Sequence, residues 1–87
     1  MDANRLHHIF GEPKHDLDGL VGHYGSEEAA GRAIETAVNA AFAGGTLVLD
    51  ANRCFRQRFD VGGYPVIVSG RIVRGAPRVS TAWSPPR

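Results

Sequence analysis

The fold is decided by the stretch CFRQRFDVGGYPVIVS, which occupies residues 54–69. In its first half apolar and polar side chains alternate, which predicts a strand with one face in the core and the other in solvent. The pair Gly62-Gly63 is a two-residue hairpin signal, so residues 64–69 are predicted to return as the neighbouring strand. Shorter runs that predict further strands lie at residues 46–49, 71–74 and 78–83, with Gly70 as a turn or bulge. We therefore expect an antiparallel sheet of four to five strands.

A long helix is predicted before the sheet. Ser26 is a favourable N-cap, and Glu27 and Glu28 follow in the first turn, where the helix dipole favours negative charge. Gly44-Gly45 is expected to end the helix. One apolar face repeats at steps of three and four residues and consists of Ala30, Ile34, Ala37, Val38, Ala41 and Phe42. The small alanines on this face predict close packing against the sheet.

The segment before the long helix is predicted to contain only short, interrupted elements of secondary structure. Residues 16–21 are expected to form one or two helical turns with Leu17, Leu20 and Val21 facing inward, and Gly22 and Gly25 would end them. The whole pattern predicts an α+β fold, in which a short N-terminal helix and one long helix pack on one face of the sheet. The other face of the sheet is expected to stay open.

Length and composition favour one domain that spans residues 1–87. The single cysteine, Cys54, cannot form an internal disulfide bond. No apolar run approaches the length of about 20 residues that a membrane helix needs, so we expect no membrane binding by this domain.

Positive charge is concentrated in the second half of the chain. The formal net charge is only +1, yet Asp60 is the one acidic residue after Asn52. The basic residues of the same part are all arginines: Arg53, Arg56, Arg58, Arg71, Arg74, Arg78 and Arg87. Because arginine is the usual cation for bidentate contact with phosphate, this distribution favours contact with a nucleic-acid backbone.

Two histidines near the start, His8 and His15, are candidates for acid–base chemistry. A glycine and a proline between them allow the chain to fold back, and imidazole is the side chain best suited to exchange a proton near neutral pH. Ser80 and Thr81 lie on the last predicted strand, where alternation lets only one of them face the open side. These groups predict chemistry on a phosphodiester, whereas His7 and His23 are interpreted as structural.

The order of these motifs along the chain resembles that of a known protein family. HIFG at residues 8–11 is followed by a second histidine, a helix, and an antiparallel sheet that ends in STA at residues 80–82 before an aromatic residue and a proline. This arrangement resembles the C-terminal nuclease domains of bacterial polymorphic toxins, and it is similar to the EndoU-like members of the barnase/EndoU/colicin/RelE superfamily. The resemblance covers nearly the whole chain in the order of its elements.

The resemblance implies a catalytic set. His8 and His15 would act as general base and general acid, in an order that the residues do not assign, and Thr81 would be the strand hydroxyl, with Ser80 as the second candidate. The family also uses a lysine, and the only lysine here is Lys14, beside His15. The substrate-binding residues would be Arg56, Arg58, Arg78 and Ser80.

The resemblance further implies a metal-independent ribonuclease toxin without a cofactor. RNA, with tRNA as the expected target, would be cleaved to a 2′,3′-cyclic phosphate by attack of its own 2′-hydroxyl. The domain would be the C-terminal module of a larger secreted protein that acts in the cytoplasm of the target cell. A cognate immunity protein would neutralise it.

Two other functions remain open from the residues alone. One is a non-enzymatic α+β binding module that uses its arginines to contact nucleic acid or protein. The other is a metal-dependent DNase, although the histidines show neither the His-x-x-x-His spacing nor a Cys-x-x-Cys partner set that a zinc site would use. We therefore expect no metal site.

Overall fold

The computed structural model describes residues 3–11 and 17–85. It confirms the α+β class, with three helices followed by a three-stranded antiparallel sheet in the order β1-β2-β3. The elements are α1 (Ala3–Phe10), α2 (Asp18–Tyr24), α3 (Glu27–Ala43), β1 (Cys54–Val61), β2 (Tyr64–Val73) and β3 (Ala76–Trp83).

The long helix α3 forms where its capping and apolar signals predict it. The side chain of the N-cap Ser26 accepts a hydrogen bond of 3.1 Å from the backbone N–H of Ala29. Ala30, Ile34 and Val38 are buried on one face of the helix, and Gly44 is the C-cap. Burial of this apolar face supplies most of the stability that such a helix has in water.

The start of the chain differs from the prediction, because Ala3–Phe10 forms the helix α1 rather than a loop. Leu6 and Ile9, one helical turn apart, are both buried. Helix α2 begins at Asp18, passes through Gly22 and ends before the C-cap Gly25, which adopts a positive φ of 89° and donates its N–H to the carbonyl of Val21. The predicted burial of Leu17 and Leu20 is confirmed.

The described residues form three strands, fewer than the predicted four to five. One reason is that β2 continues through Gly70 without a turn. The bulge lies in β3 instead. Ser69 pairs with Thr81 and Gly70 pairs with Val79, so Ser80 is the additional residue of a β-bulge. The turn falls at Arg74 and Gly75, whose φ values are both positive, as the two-residue turns of hairpins require.

The second reason concerns residues 46–49, which lie beside β1 without joining the ladder. The side-chain amide of Gln57 replaces the ladder bonds: its Oε1 accepts from the backbone N–H of Val48 at 2.9 Å, and its Nε2 donates to the carbonyl of Thr46 at 3.2 Å. Leu47 and Leu49 pack against the core. The apolar residues of this segment are therefore explained by their packing against the core and not by pairing with β1.

The core lies between the three helices and one face of the sheet. Helix α3 contacts β1 and β3, and α1 contacts β3. The strands contribute Phe55, Phe59, Val61, Val66, Val68 and Ala82 to the same buried cluster as Ile9, Leu20 and Ile34. The side chains that alternate with these strand residues point to the opposite face of the sheet.

Gly70 has no space for a side chain. A Cβ at this residue would collide with the carbonyl oxygen of Arg78 and would lie 2.7 Å from the ring of Phe55. Gly70→Ala is expected to lower the free energy of unfolding by about 3 kcal/mol, the upper end of the cost of overpacking, because the obstacle is backbone. Urea denaturation followed by circular dichroism measures this change.

Gly22→Ala is the matched control. A Cβ at Gly22 meets nothing within 4 Å, and the residue is inside α2, so alanine should raise the free energy of unfolding by about 0.5–1 kcal/mol through helix propensity. Equal effects of the two substitutions would contradict the close approach of β3 to Gly70.

Candidate nucleic-acid interface

The face of the sheet that points away from the helices carries a set of arginines, which we call the arginine face. The strand register arranges its side chains in rows across β1, β2 and β3: Arg56–Ser69–Thr81, Arg58–Ile67–Trp83 and Cys54–Arg71–Arg78. All four of these arginines are exposed. Asp60, also exposed, follows on the same face of β1.

Trp83 is part of this face. The guanidinium carbon of Arg56 lies 4.9 Å from the centroid of the Trp83 ring, so the arginine side chain reaches from β1 across β2 to β3. A cation–π contact of this kind contributes about 0.5–1 kcal/mol at an exposed site. Ala82 fills the core position on β3, and Trp83 points to the other face of the sheet.

The electrostatic balance of the face favours an anion. Among the described strand residues on this side of the sheet, four arginines stand against one carboxylate, that of Asp60. Planar guanidinium groups bind phosphate oxygens through two parallel hydrogen bonds and stack on aromatic rings. Cations interleaved with an aromatic ring are the combination that proteins use to hold single-stranded nucleic acid.

Thr81 lies on the arginine face at the edge strand β3, opposite Ser69. Its hydroxyl Oγ1 is buried and makes no hydrogen bond within the described part of the chain. Leaving a buried polar group without a partner costs about 1–3 kcal/mol. The hydroxyl therefore lies beneath the surface of this face with its hydrogen-bonding capacity unused within the described part of the chain.

Ser80 belongs to a different surface. As the additional residue of the bulge, it lines a cavity of about 560 Å³ together with Arg5 of α1 and Glu35 of α3. Its backbone carbonyl accepts a hydrogen bond of 2.9 Å from Nη1 of Arg5. Of the two candidate hydroxyls, only Thr81 therefore shares a face with the arginines of β1.

Of the two predicted catalytic histidines, His8 lies within the described residues. His8 is exposed in the last turn of α1, and α1 is anchored by Ile9 in the core on the helix side of the sheet. Thr81 points to the opposite face of the sheet, and a shared site of His8 and Thr81 stays a prediction. His15 and Lys14 lie outside the described residues.

The other histidines have separate surroundings. His7 is exposed on α1. The ring of His23 contacts Tyr24 edge-on at a centroid distance of 4.9 Å and Tyr64 at 5.6 Å. These contacts lie beside the β1–β2 turn, where a Cβ on Gly62 would meet both His23 and Tyr24 within 3.0 Å, so this cluster joins α2 to the hairpin.

Within residues 3–11 and 17–85, no three His, Cys, Asp or Glu side chains lie close enough together to hold a metal ion. In the same part of the chain, no helix has both the length and the apolar character needed to cross a bilayer.

No known protein family, curated protein or solved structure matches this chain.

Thr81→Val removes the unpartnered hydroxyl while it keeps the shape of the side chain. We expect this substitution to raise the free energy of unfolding by about 1 kcal/mol, since it removes the cost of burying an unsatisfied polar group. Thr36→Val, at an exposed position of α3, is the matched control and should change stability by less than about 0.5 kcal/mol. Chemical denaturation measures both, and a loss of stability in Thr81→Val would contradict an unpartnered hydroxyl.

Proposed function

We propose that this protein binds single-stranded RNA on the arginine face. The observation that carries the proposal is the contact between the Arg56 guanidinium and the Trp83 ring, at 4.9 Å, within a face that presents three further arginines. Arg58 and Arg78, two of the residues expected to contact phosphate, lie on this face, and Arg71 adds a cation that the sequence analysis did not assign to substrate.

The two parts of the face would serve different parts of the ligand. The arginines would pair with the phosphates, which are common to every nucleotide. The Trp83 ring would stack on a base, and the plane of the Arg56 guanidinium offers a second stacking surface beside it. Both stacking contacts need bases that are not already stacked in a duplex, so the proposed ligand is a single strand.

Cleavage of the bound RNA is a second candidate function, favoured by the hydroxyl of Thr81. This group lies on the same face as the arginines and has no described hydrogen-bond partner, so it could donate to a phosphate oxygen after a modest movement of the side chains above it. His15 would supply proton transfer and Lys14 positive charge, as the resemblance implies. A general base would take the proton of the 2′-hydroxyl, whose oxygen would attack phosphorus, and a general acid would protonate the leaving 5′-oxygen, so that a 2′,3′-cyclic phosphate remains.

RNA cleavage is also supported by the resemblance of the sequence to EndoU-like toxin nucleases and their superfamily. It would make the chain a module of a larger secreted protein that cleaves RNA, with tRNA as the expected target, in a recipient cell. A cognate immunity protein with acidic residues would then cover the arginine face, because complementary charge accelerates association.

Binding to a labelled single-stranded RNA, measured by fluorescence anisotropy at several salt concentrations, tests the binding proposal. Arg58→Gln should reduce the slope of log affinity against log salt by about 0.7, the share of one phosphate contact on a single strand. Trp83→Ala should weaken binding about 5- to 150-fold without changing the slope, because stacking of a base contributes about 1–3 kcal/mol.

Arg32→Gln is the control for charge, since Arg32 is exposed on α3 in the helix layer. It should leave the salt slope unchanged. A reduction equal to that of Arg58→Gln would mean that RNA binds without regard to the arginine face. Tighter binding of single-stranded DNA of the same sequence would contradict the choice of RNA.

Incubation with total tRNA in excess EDTA tests the cleavage candidate. Products with 2′,3′-cyclic phosphate ends are expected, and His15→Ala should slow their formation by about 10²- to 10⁴-fold, the usual contribution of one proton-transfer partner. His7→Ala, at an exposed position of α1, is the matched histidine control. Loss of cleavage in His8→Ala together with full cleavage in Thr81→Val would place the reaction on the helix layer and contradict a site on the arginine face.

A further inference from the structure

The cavity beside β3 brings together three arginines that come from distant parts of the chain. Arg5 of α1, Arg71 of β2 and Arg78 of β3 all line it, and Glu35 of α3 is the carboxylate among the lining residues that the structure describes. Among the described lining residues, three arginines and one glutamate give an excess of two positive charges around a space of about 560 Å³.

Two of these arginines form a like-charged cross-strand pair. Arg71 and Arg78 are direct partners in the register of β2 and β3, and both are exposed. Like charges directly opposite each other in an antiparallel pair are destabilising. An anion that accepts hydrogen bonds from both guanidinium groups would turn this repulsion into attraction.

The third arginine is held in position by the bulge. Nη1 of Arg5 donates to the carbonyl oxygen of Ser80 at 2.9 Å, a contact between residues that are 75 positions apart in the chain. This hydrogen bond fixes a positive charge at the rim of the cavity, so less side-chain freedom remains to be lost when a ligand binds.

We propose that this cavity binds a phosphate monoester of mononucleotide size. A monoester carries a charge of about −1.5 to −2 near neutral pH, which matches the excess positive charge of the lining, whereas a backbone diester carries one charge. The volume falls within the range of about 300–1,000 Å³ that small-ligand sites occupy. Because Arg71 and Arg78 also belong to the arginine face, the site adjoins the surface proposed for RNA.

The phosphate monoester can come from two sources, and the first of them rests on the proposed RNA binding. It is either the phosphorylated end of an RNA strand that lies on the arginine face or a free nucleotide. The experiment compares oligonucleotides of one sequence with 5′-phosphate, 3′-phosphate or hydroxyl ends, together with free AMP, as ligands of the intact chain.

A terminal phosphate is expected to raise the affinity of the oligonucleotide about 10- to 100-fold, the range for charge-assisted hydrogen bonds. Arg71→Gln and Arg78→Gln should each remove most of this preference. Arg74→Gln is the matched control, because Arg74 carries the same charge at the tip of the same hairpin but does not line the cavity. Thermal unfolding checks that each variant keeps its fold, which removal of one like charge should not weaken.

The outcomes separate this proposal from the binding of RNA as such. Binding of AMP that survives Trp83→Ala and is lost in Arg78→Gln supports the cavity with a free nucleotide as its ligand, even if RNA with hydroxyl ends does not bind. A preference for phosphorylated ends without binding of AMP supports the cavity with an RNA end as its ligand. Equal affinity for phosphorylated and hydroxyl ends together with no binding of AMP would overturn the proposal, whether or not RNA binds the arginine face.

Discussion

The close approach of β3 to Gly70 is the constraint on which the functional surfaces of this protein depend. The carbonyl of Arg78 and the ring of Phe55 occupy the space that a side chain at residue 70 would need, and β3 takes its additional residue, Ser80, opposite this point. Side chains alternate with a period of two, so one additional residue reverses the faces of all residues beyond it. In an uninterrupted register Trp83 would point into the core and Ala82 to the arginine face, whereas the bulge places them the other way round.

The bulge also connects the two proposed anion sites. Beyond the bulge, Thr81 and Trp83 complete the part of the arginine face that Arg56 reaches. Before it, Arg78 stands opposite Arg71, and at the bulge the carbonyl of Ser80 holds Arg5. A phosphate-bearing ligand would therefore meet one continuous band of guanidinium groups that begins on the sheet and ends at the helix layer.

RNA binding is proposed first and RNA cleavage second because of the side chains that lie together on one surface. Charge and an aromatic ring occur together on the arginine face, and they are the groups that the proposed binding of a single strand needs. Proton transfer needs an imidazole or a comparable group beside the phosphate, and His8 is on the helix side of the sheet because Ile9 buries the inner face of α1 in the core. The binding proposal consequently rests on described contacts, and the cleavage proposal rests on Thr81 and on the sequence resemblance.

The sequence by itself determined the elements whose signals are local. The N-cap Ser26 and the apolar repeat define α3, the Gly62-Gly63 pair defines the first hairpin, and the alternation in β1 places Arg56 and Arg58 together on the face opposite Phe55 and Phe59. Only the tertiary structure decided that Trp83 lies under Arg56, that Arg5 meets Ser80 and that residues 46–49 pack without pairing. Each of these outcomes depends on contacts between distant parts of the chain: the register of β3 is set by a collision that Gly70 avoids, and α1 forms because the core offers Leu6 and Ile9 a place to be buried. No pattern within a few neighbouring residues contains that information.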